Sequence, residues 1–222
     1  MTVTIHPAPR DLTEGEIRAW QAIPVAVAVD LSPESQIDPA IRPINPPGRQ
    51  PRLFGRAVTV SCTPPDFGAV VHALEHVGKG EVLMIAAGGD AVTAMIGEIL
   101  SGHLRNRGAA GVVCDGAVRD VATLSIWPNF AVFSRSITPR GPSSAEHGTI
   151  NAPVTIGGRR VTPGDLVIGD DDGLVALSPD TARSRIGDAK ARLAREADWI
   201  ANLAAGGTVV ETFGVPPART AR

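Results

Sequence analysis

The apolar positions of this chain fall into short runs of two kinds. Residues 10–20 have the spacing of a short helix, and IPVAVAVD (23–30), with its only charge at the end, predicts a strand. FGRAVTVSC (54–62), EVLMIAAGG (81–89), GVVCD (111–115) and AVFSRS (131–136) are further strands. Runs as continuous as EVLMIAA suit strands covered on both faces. Between them, FGAVVHALEHVG (67–78) and GEILSGHLRNRG (97–108) show helical spacing and close on Gly78 and Gly108, and DVATLSIW (120–127) predicts a short helix. Strand and helix thus alternate over 54–136, which predicts αβ units around a mainly parallel sheet. A ligand site is expected beyond the carboxyl ends of those strands, where the Gly88–Gly89 turn and the 115–120 turn fall.

The flanking segments differ. Residues 32–52 carry Pro33, Pro39, Pro43, Pro46, Pro47 and Pro51, which exclude a helix, while Ile37, Ile41 and Ile44 point to a loop packed onto the domain. APVTIGGRRVTPGDLVIGDDDGLVALS (152–178) alternates β-branched runs with Gly and Asp turns and predicts a β-rich layer. Ser178, Pro179 and Asp180 form a helix start, and Ala182, Ile186, Ala189, Leu193, Ala197, Ile200 and Leu203 share one face up to Gly206–Gly207. This helix, about 179–205, would be about 40 Å long and is expected to reach a neighbouring subunit. The reading is one domain, 1–222, of mixed α/β type.

Composition narrows the function. With 43% apolar residues the chain is globular, and 21 basic against 23 acidic residues leave no basic field for nucleic acid or an anionic membrane. No window approaches a membrane span, Cys62 and Cys114 read as buried thiols, and the expected location is the cytoplasm. No GxGxxG, GxxxxGK[ST], HExxH or GxSxG occurs, which disfavours nucleotide chemistry, cofactor-dependent methyl transfer and Ser-triad chemistry.

What remains is Glu98 at a helix start and Arg119–Asp120 at the end of the next strand, near one sheet edge. Two carboxylates suit a hard divalent cation, which often takes few protein ligands and keeps its waters. A neighbouring guanidinium grips a carboxylate or enolate oxygen, and the free amides of Ile99 and Leu100 hold another. These parts describe an α-keto acid site.

The spacing, Glu98, then twenty residues, then Arg119–Asp120, resembles the acid-x20-Arg-Asp motif of class II pyruvate aldolases of the 4-hydroxy-4-methyl-2-oxoglutarate aldolase family. That family shares its fold with the regulator of ribonuclease activity A, and the order of segments is similar over most of the chain. The resemblance implies an α/β/α sandwich of the swivelling-domain type with a mixed sheet. It implies Asp120 as the direct ligand to Mg²⁺ or Mn²⁺, Glu98 bonded to metal waters, Arg119 on the keto oxygen and enolate, and the Ile99 and Leu100 amides on substrate. The family usually has Asp where Glu98 stands. A glutamate from the neighbour's C-terminal helix is also implied, with Glu196 the first choice and Glu211 the other, and with it a homotrimer or hexamer. The implied reaction is retro-aldol cleavage of a 4-hydroxy-2-oxo (di)carboxylic acid to pyruvate and a second keto acid, with oxaloacetate decarboxylation as a side activity. The alternative is a non-catalytic, protein-binding regulator of a ribonuclease.

Other polar groups carry weaker expectations. His72, His76, His103 and His147 lack ligand spacing, and GDDDG (169–173) reads as a turn. Asp90 either lines the pocket or caps a helix, and Arg135 and Arg140 either face a distal substrate carboxylate or lie on the surface.

Overall fold

The computed structural model describes residues 2–219. The chain opens with β1 (Thr2–Ile5), α1 (Glu14–Ala19) and α2 (Val25–Leu31), then crosses the proline-rich loop, which holds β2 (Arg42–Pro43). The αβ units follow: β3 (Leu53–Ser61), α3 (Gly68–Ala73), β4 (Glu81–Ile96), α4 (Glu98–Asn106), β5 (Gly111–Val118), α5 (Val121–Leu124) and β6 (Ala131–Ile137). Next come β7 (His147–Ile150), β8 (Val154–Ile156), β9 (Arg159–Val161), β10 (Leu166–Asp170) and β11 (Gly173–Leu177). The chain closes with α6 (Pro179–Ala204) and α7 (Val209–Phe213).

Strands β3, β4, β5 and β6 pair in parallel, in sequence order, and form the centre of a mixed sheet ordered β1-β7-β3-β4-β5-β6-β2. On its outer edge β3 is shared: Leu53–Arg56 pair with β10 and Val60–Ser61 with β7, both antiparallel. Alternation along the strands sorts the core into two faces. Leu83, Ile85, Val112, Cys114 and Val132 pack beneath the helical layer with Val70, Val77 and Leu104. Val82, Met84, Val113 and Phe133 face the other way and are covered by Ile156 and Val161 of the β8–β9 hairpin and by Ile37 and Ile41 of the proline-rich loop. Both faces are therefore dry, which explains the continuous apolar runs.

A third cluster joins α1, α2 and α6 to the β10–β11 hairpin. Trp20 is 1% exposed and its indole N–H donates to the Ala182 carbonyl at 3.0 Å, tying α1 to the first turn of α6. Truncating such a residue to Ala costs about 3–5 kcal/mol. Ser178 caps α6 through the Thr181 amide, as expected, and Ala182 and Ala189 are its buried positions. Further along, Ile200 is 69% exposed, so the distal part of the predicted apolar face is uncovered in the protomer. Among the described residues no helix is long and apolar enough to cross a membrane.

Three expectations are corrected. IPVAVAVD is a helix, not a strand: the Val25 amide donates to Asp170 Oδ2 at 2.9 Å, and Val25, Val27 and Ala28 bury against β10, β11 and α6. A distant acceptor and tertiary packing here outweigh the β preference of valine. The strand starting at Glu81 does not end at the glycine pair. Gly88 and Gly89 adopt φ of 63° and 79°, the register with β5 shifts after Ala86, and β4 resumes through Ile96. Helices α1, α3 and α5 are shorter than their predicted spans, α1 because the Thr13–Glu16 capping box sets its start.

Candidate active site

Two adjacent parallel strands end together, and each hands its chain to a helix. From β4 the chain passes through Gly97 into α4, and from β5 through Arg119 and Asp120 into α5. Asp120 occupies the position that caps α5, yet its side chain makes no capping bond. It adopts φ 59°, ψ 33°, a left-handed conformation that Asp tolerates at some cost. The carboxylate turns across to α4, where its Oδ2 accepts the Glu98 amide N–H at 2.9 Å. The Arg119 Nε lies 3.7 Å from the same oxygen, and both side chains are 41% exposed.

Close approach requires glycine on both sides of this pair. A Cβ on Gly97 would stand 2.4 Å from Asp120 Oδ2 and 2.8 Å from Arg119 Cγ, and one on Gly141 would stand 2.5 Å from Arg119 Nη1. The arginine side chain thus threads between Gly97 and Gly141. Glycine at the cap of α4 also provides no side-chain acceptor, so the Ile99 and Leu100 amides remain the orphan donors of that helix start. Ile99, Leu100, Arg119 and Asp120 line one small cleft, closed by Phe67, Met95 and Pro142.

The site thus contains donors for an anion and a half-exposed carboxylate, Asp120, whose Oδ1 takes no hydrogen bond from the described residues. Such a set fits Mg²⁺ or Mn²⁺ held by one protein carboxylate with water completing the shell. It does not form a cage: among the described residues no group of three or more His, Cys, Asp or Glu converges.

Residues 25–176 match the family described as Aldolase/RraA, RraA-like. The chain belongs to that family. A Thermus thermophilus relative named 4-hydroxy-4-methyl-2-oxoglutarate aldolase is 33% identical over 148 residues, 67% of this chain and 88% of the relative. A Streptomyces coelicolor protein, described as an unusual member of the RNase ES inhibitor RraA protein family, superposes with a TM-score of 0.76 at 26% identity, covering 86% of this chain and 98% of its own. An uncharacterized protein from Pseudomonas syringae superposes with a TM-score of 0.81 at 22% identity, over 95% and 98% of the two chains, and shows the shared fold.

Within this RraA-like framework the other expected residues are placed as follows. Glu98 stands at the first position of α4 with its side chain exposed. Glu196 lies on α6, accepts Arg192 Nε at 2.8 Å and is not part of the protomer's cleft lining. Glu211 is engaged with Thr208 at the start of α7. Arg135 is committed to structure: Nε donates to Asp115 Oδ1 at 2.6 Å and Nη1 lies 2.8 Å from Asp38 Oδ2. Asp90 caps the β4 excursion through the Val92 and Thr93 amides instead of a helix. Asp170, Asp171 and Asp172 form the β10–β11 turn as expected, Asp170 accepting the Val25 and Asp172 amides and Asp171 that of Gly48. Cys62 and Cys114 are buried free thiols, and burial pushes the Cys62 thiol up to about 12.

The sequence reading missed the far wall. Asp66 is buried, which favours its neutral acid. That effect is outweighed by hydrogen bonds from Ser144 Oγ (2.5 Å) and the Gly68, Glu146 and His147 amides, which hold the carboxyl well below the usual range. This clamp seats the 141–146 loop, and with it Gly141 and Pro142, against α3 and Phe67. The available signal was the Asp two residues before Gly68, at a helix start.

Proposed function

We propose that this chain is a divalent-metal-dependent pyruvate aldolase that cleaves 4-hydroxy-2-oxo acids to pyruvate and a second carbonyl compound. One observation carries the reading: Asp120, in a left-handed backbone position, turns its carboxylate away from its own helix to the start of α4, with the Arg119 guanidinium beside it and Ile99 and Leu100 lining the same cleft. The name of the Thermus thermophilus relative supports it.

In this reading Asp120 would hold the cation, Glu98 would hydrogen-bond water beside it, and Glu196 of a neighbouring subunit would complete the site in a trimer or hexamer. A bound Mg²⁺ or Mn²⁺ would supply Lewis-acid polarisation of the 2-keto oxygen. The Ile99 and Leu100 amides grip the substrate carboxylate, and Arg119 donates to the keto oxygen. The 4-hydroxyl proton passes through water to the Glu98 carboxylate. The C3–C4 bond then breaks, its electron pair passes to C3, and the charge that develops on the enolate oxygen is met by Arg119, already in place. Protonation at C3 yields pyruvate. Loss of CO₂ from oxaloacetate leaves the same enolate, so decarboxylation is the expected side activity.

The test is pyruvate release from a panel of 4-hydroxy-2-oxo acids and from oxaloacetate, before and after chelation and after Mg²⁺ is restored. Release that disappears on chelation and returns with Mg²⁺ is expected. A chain that releases no pyruvate from any substrate, yet inhibits a ribonuclease, would instead be a regulator of the kind named for the Streptomyces relative.

A further inference from the structure

We infer that the recess between β2 and the end of β6 is a second binding site, separate from the cleft at Asp120, and that it takes a small oxyanion, a carboxylate or a phosphate group. The inference goes beyond the aldolase reading and does not depend on it.

Strand pairing sets the geometry. Val132 packs beneath the helical layer, and alternation along β6 puts Ser134 and Ser136 on that same face. Arg42 of β2 pairs directly opposite Ser134, and residues paired in this way present their side chains on one face of the sheet. One guanidinium and two hydroxyls therefore stand together, and all three residues line the recess with Arg135 and Ile137. Ser136 pairs with Ala117 of β5, so the recess lies one strand beyond the strand that ends at Arg119 and Asp120. It shares no lining residue with the cleft there.

Two observations separate this recess from an ordinary basic surface. Ser134 is only 5% exposed, yet its hydroxyl has no hydrogen-bond partner among the described residues, and neither has that of Ser136. A buried hydroxyl left unmet costs free energy, so a group that accepts from it belongs there. Charge decides which group. No acid lines the recess, and Arg42 is exposed and forms no ion pair among the described residues. Asp38 and Asp115 are engaged with Arg135. An oxyanion brings negative charge and several acceptor lone pairs, which suit a guanidinium fork with two hydroxyl donors beside it. A cation would meet two arginines, and an apolar group would leave both hydroxyls unpaired.

The test is calorimetric titration of the intact chain, stripped of divalent cations, with inorganic phosphate and separately with malonate. The expected result is anion binding that persists in Arg119→Ala, weakens by at least about tenfold in Arg42→Ala, and weakens by less in Ser134→Ala. Arg42 is exposed, so its truncation should leave the fold intact, and thermal melting of each variant checks this. Tighter binding of phosphate than of malonate assigns the site to phosphate groups, and the reverse order assigns it to carboxylates. Binding that Arg42→Ala leaves unchanged overturns the inference, and its loss in Arg119→Ala would then put the anion in the cleft. Absence of binding by either anion, the result expected if a neighbouring subunit fills the recess, overturns it as well.

Discussion

The Glu98 amide N–H donates to the Asp120 carboxylate at 2.9 Å, joining the start of α4 to the end of β5 across 22 positions of sequence. These elements meet because β4 and β5 are parallel neighbours, which delivers their carboxyl ends, and the helix starts that follow them, to one edge. The orphan amide at the head of α4 fixes one carboxylate oxygen of a residue that lines the cleft.

Arg119 is placed by geometry as well as charge. Its planar fork reaches past Gly97 and Gly141 to the cleft, a shape an ammonium cannot reproduce. Arg119→Lys should lower kcat/KM for pyruvate release by about a hundredfold and leave Mn²⁺ affinity within a few-fold. Steady-state kinetics with a parallel metal titration checks both.

Gly97 has no room for a methyl group. Gly97→Ala places a carbon where Asp120 Oδ2 stands, so the carboxylate must move. The expected cost is about 1–3 kcal/mol in stability, read by urea denaturation, with a larger proportional loss of activity than in Gly187→Ala, whose added carbon meets open space.

Asp66 positions the cleft's far wall without touching substrate. Asp66→Asn keeps the shape but loses the charge that receives three amides and the Ser144 hydroxyl. It should cost about 1–3 kcal/mol and raise KM more than it lowers kcat, because Pro142 and Gly141 lose their anchor. A KM unchanged beside a reduced kcat would contradict the positioning role.

Asp165 makes stability depend on pH. Burial raises its pKa to about 6, partly offset by the Thr162 amide and the Arg159 charge. In the unfolded chain the group titrates near 4, so between about pH 4 and pH 6 the folded state binds more protons, and stability falls as pH rises through that window. The contribution is fully present below about pH 4 and lost above about pH 6, an effect of about 2–3 kcal/mol. Asp165→Asn should raise Tm at pH 7.5 and not at pH 4, as calorimetry at the two pH values would show.

Much of this was legible in the chain. The runs at 81–87 and 111–115 are continuous because both faces of their strands are covered, and the Glu98 and Arg119–Asp120 spacing follows from one strand–helix–strand repeat. Two features were hidden for a common reason. The helix at Val25 depends on an acceptor at Asp170, and the wall at Gly141–Pro142 on a clamp from Asp66. In each case the partner lies more than seventy residues away, beyond what local periodicity reports. The uncovered face of α6 at Ile200 agrees with a helix whose pattern is longer than one protomer's core requires.

The central claim is that the Asp120 carboxylate binds the cation of a keto-acid site, and Mn²⁺ binding to the unaltered chain and to Asp120→Asn, followed by electron paramagnetic resonance with pyruvate present, tests it most directly. Asparagine still accepts the Glu98 amide, so the fold around the site should persist. The account predicts one Mn²⁺ per protomer in the unaltered chain and at least about a hundredfold weaker binding in the variant. Equal affinity in the two proteins would contradict it.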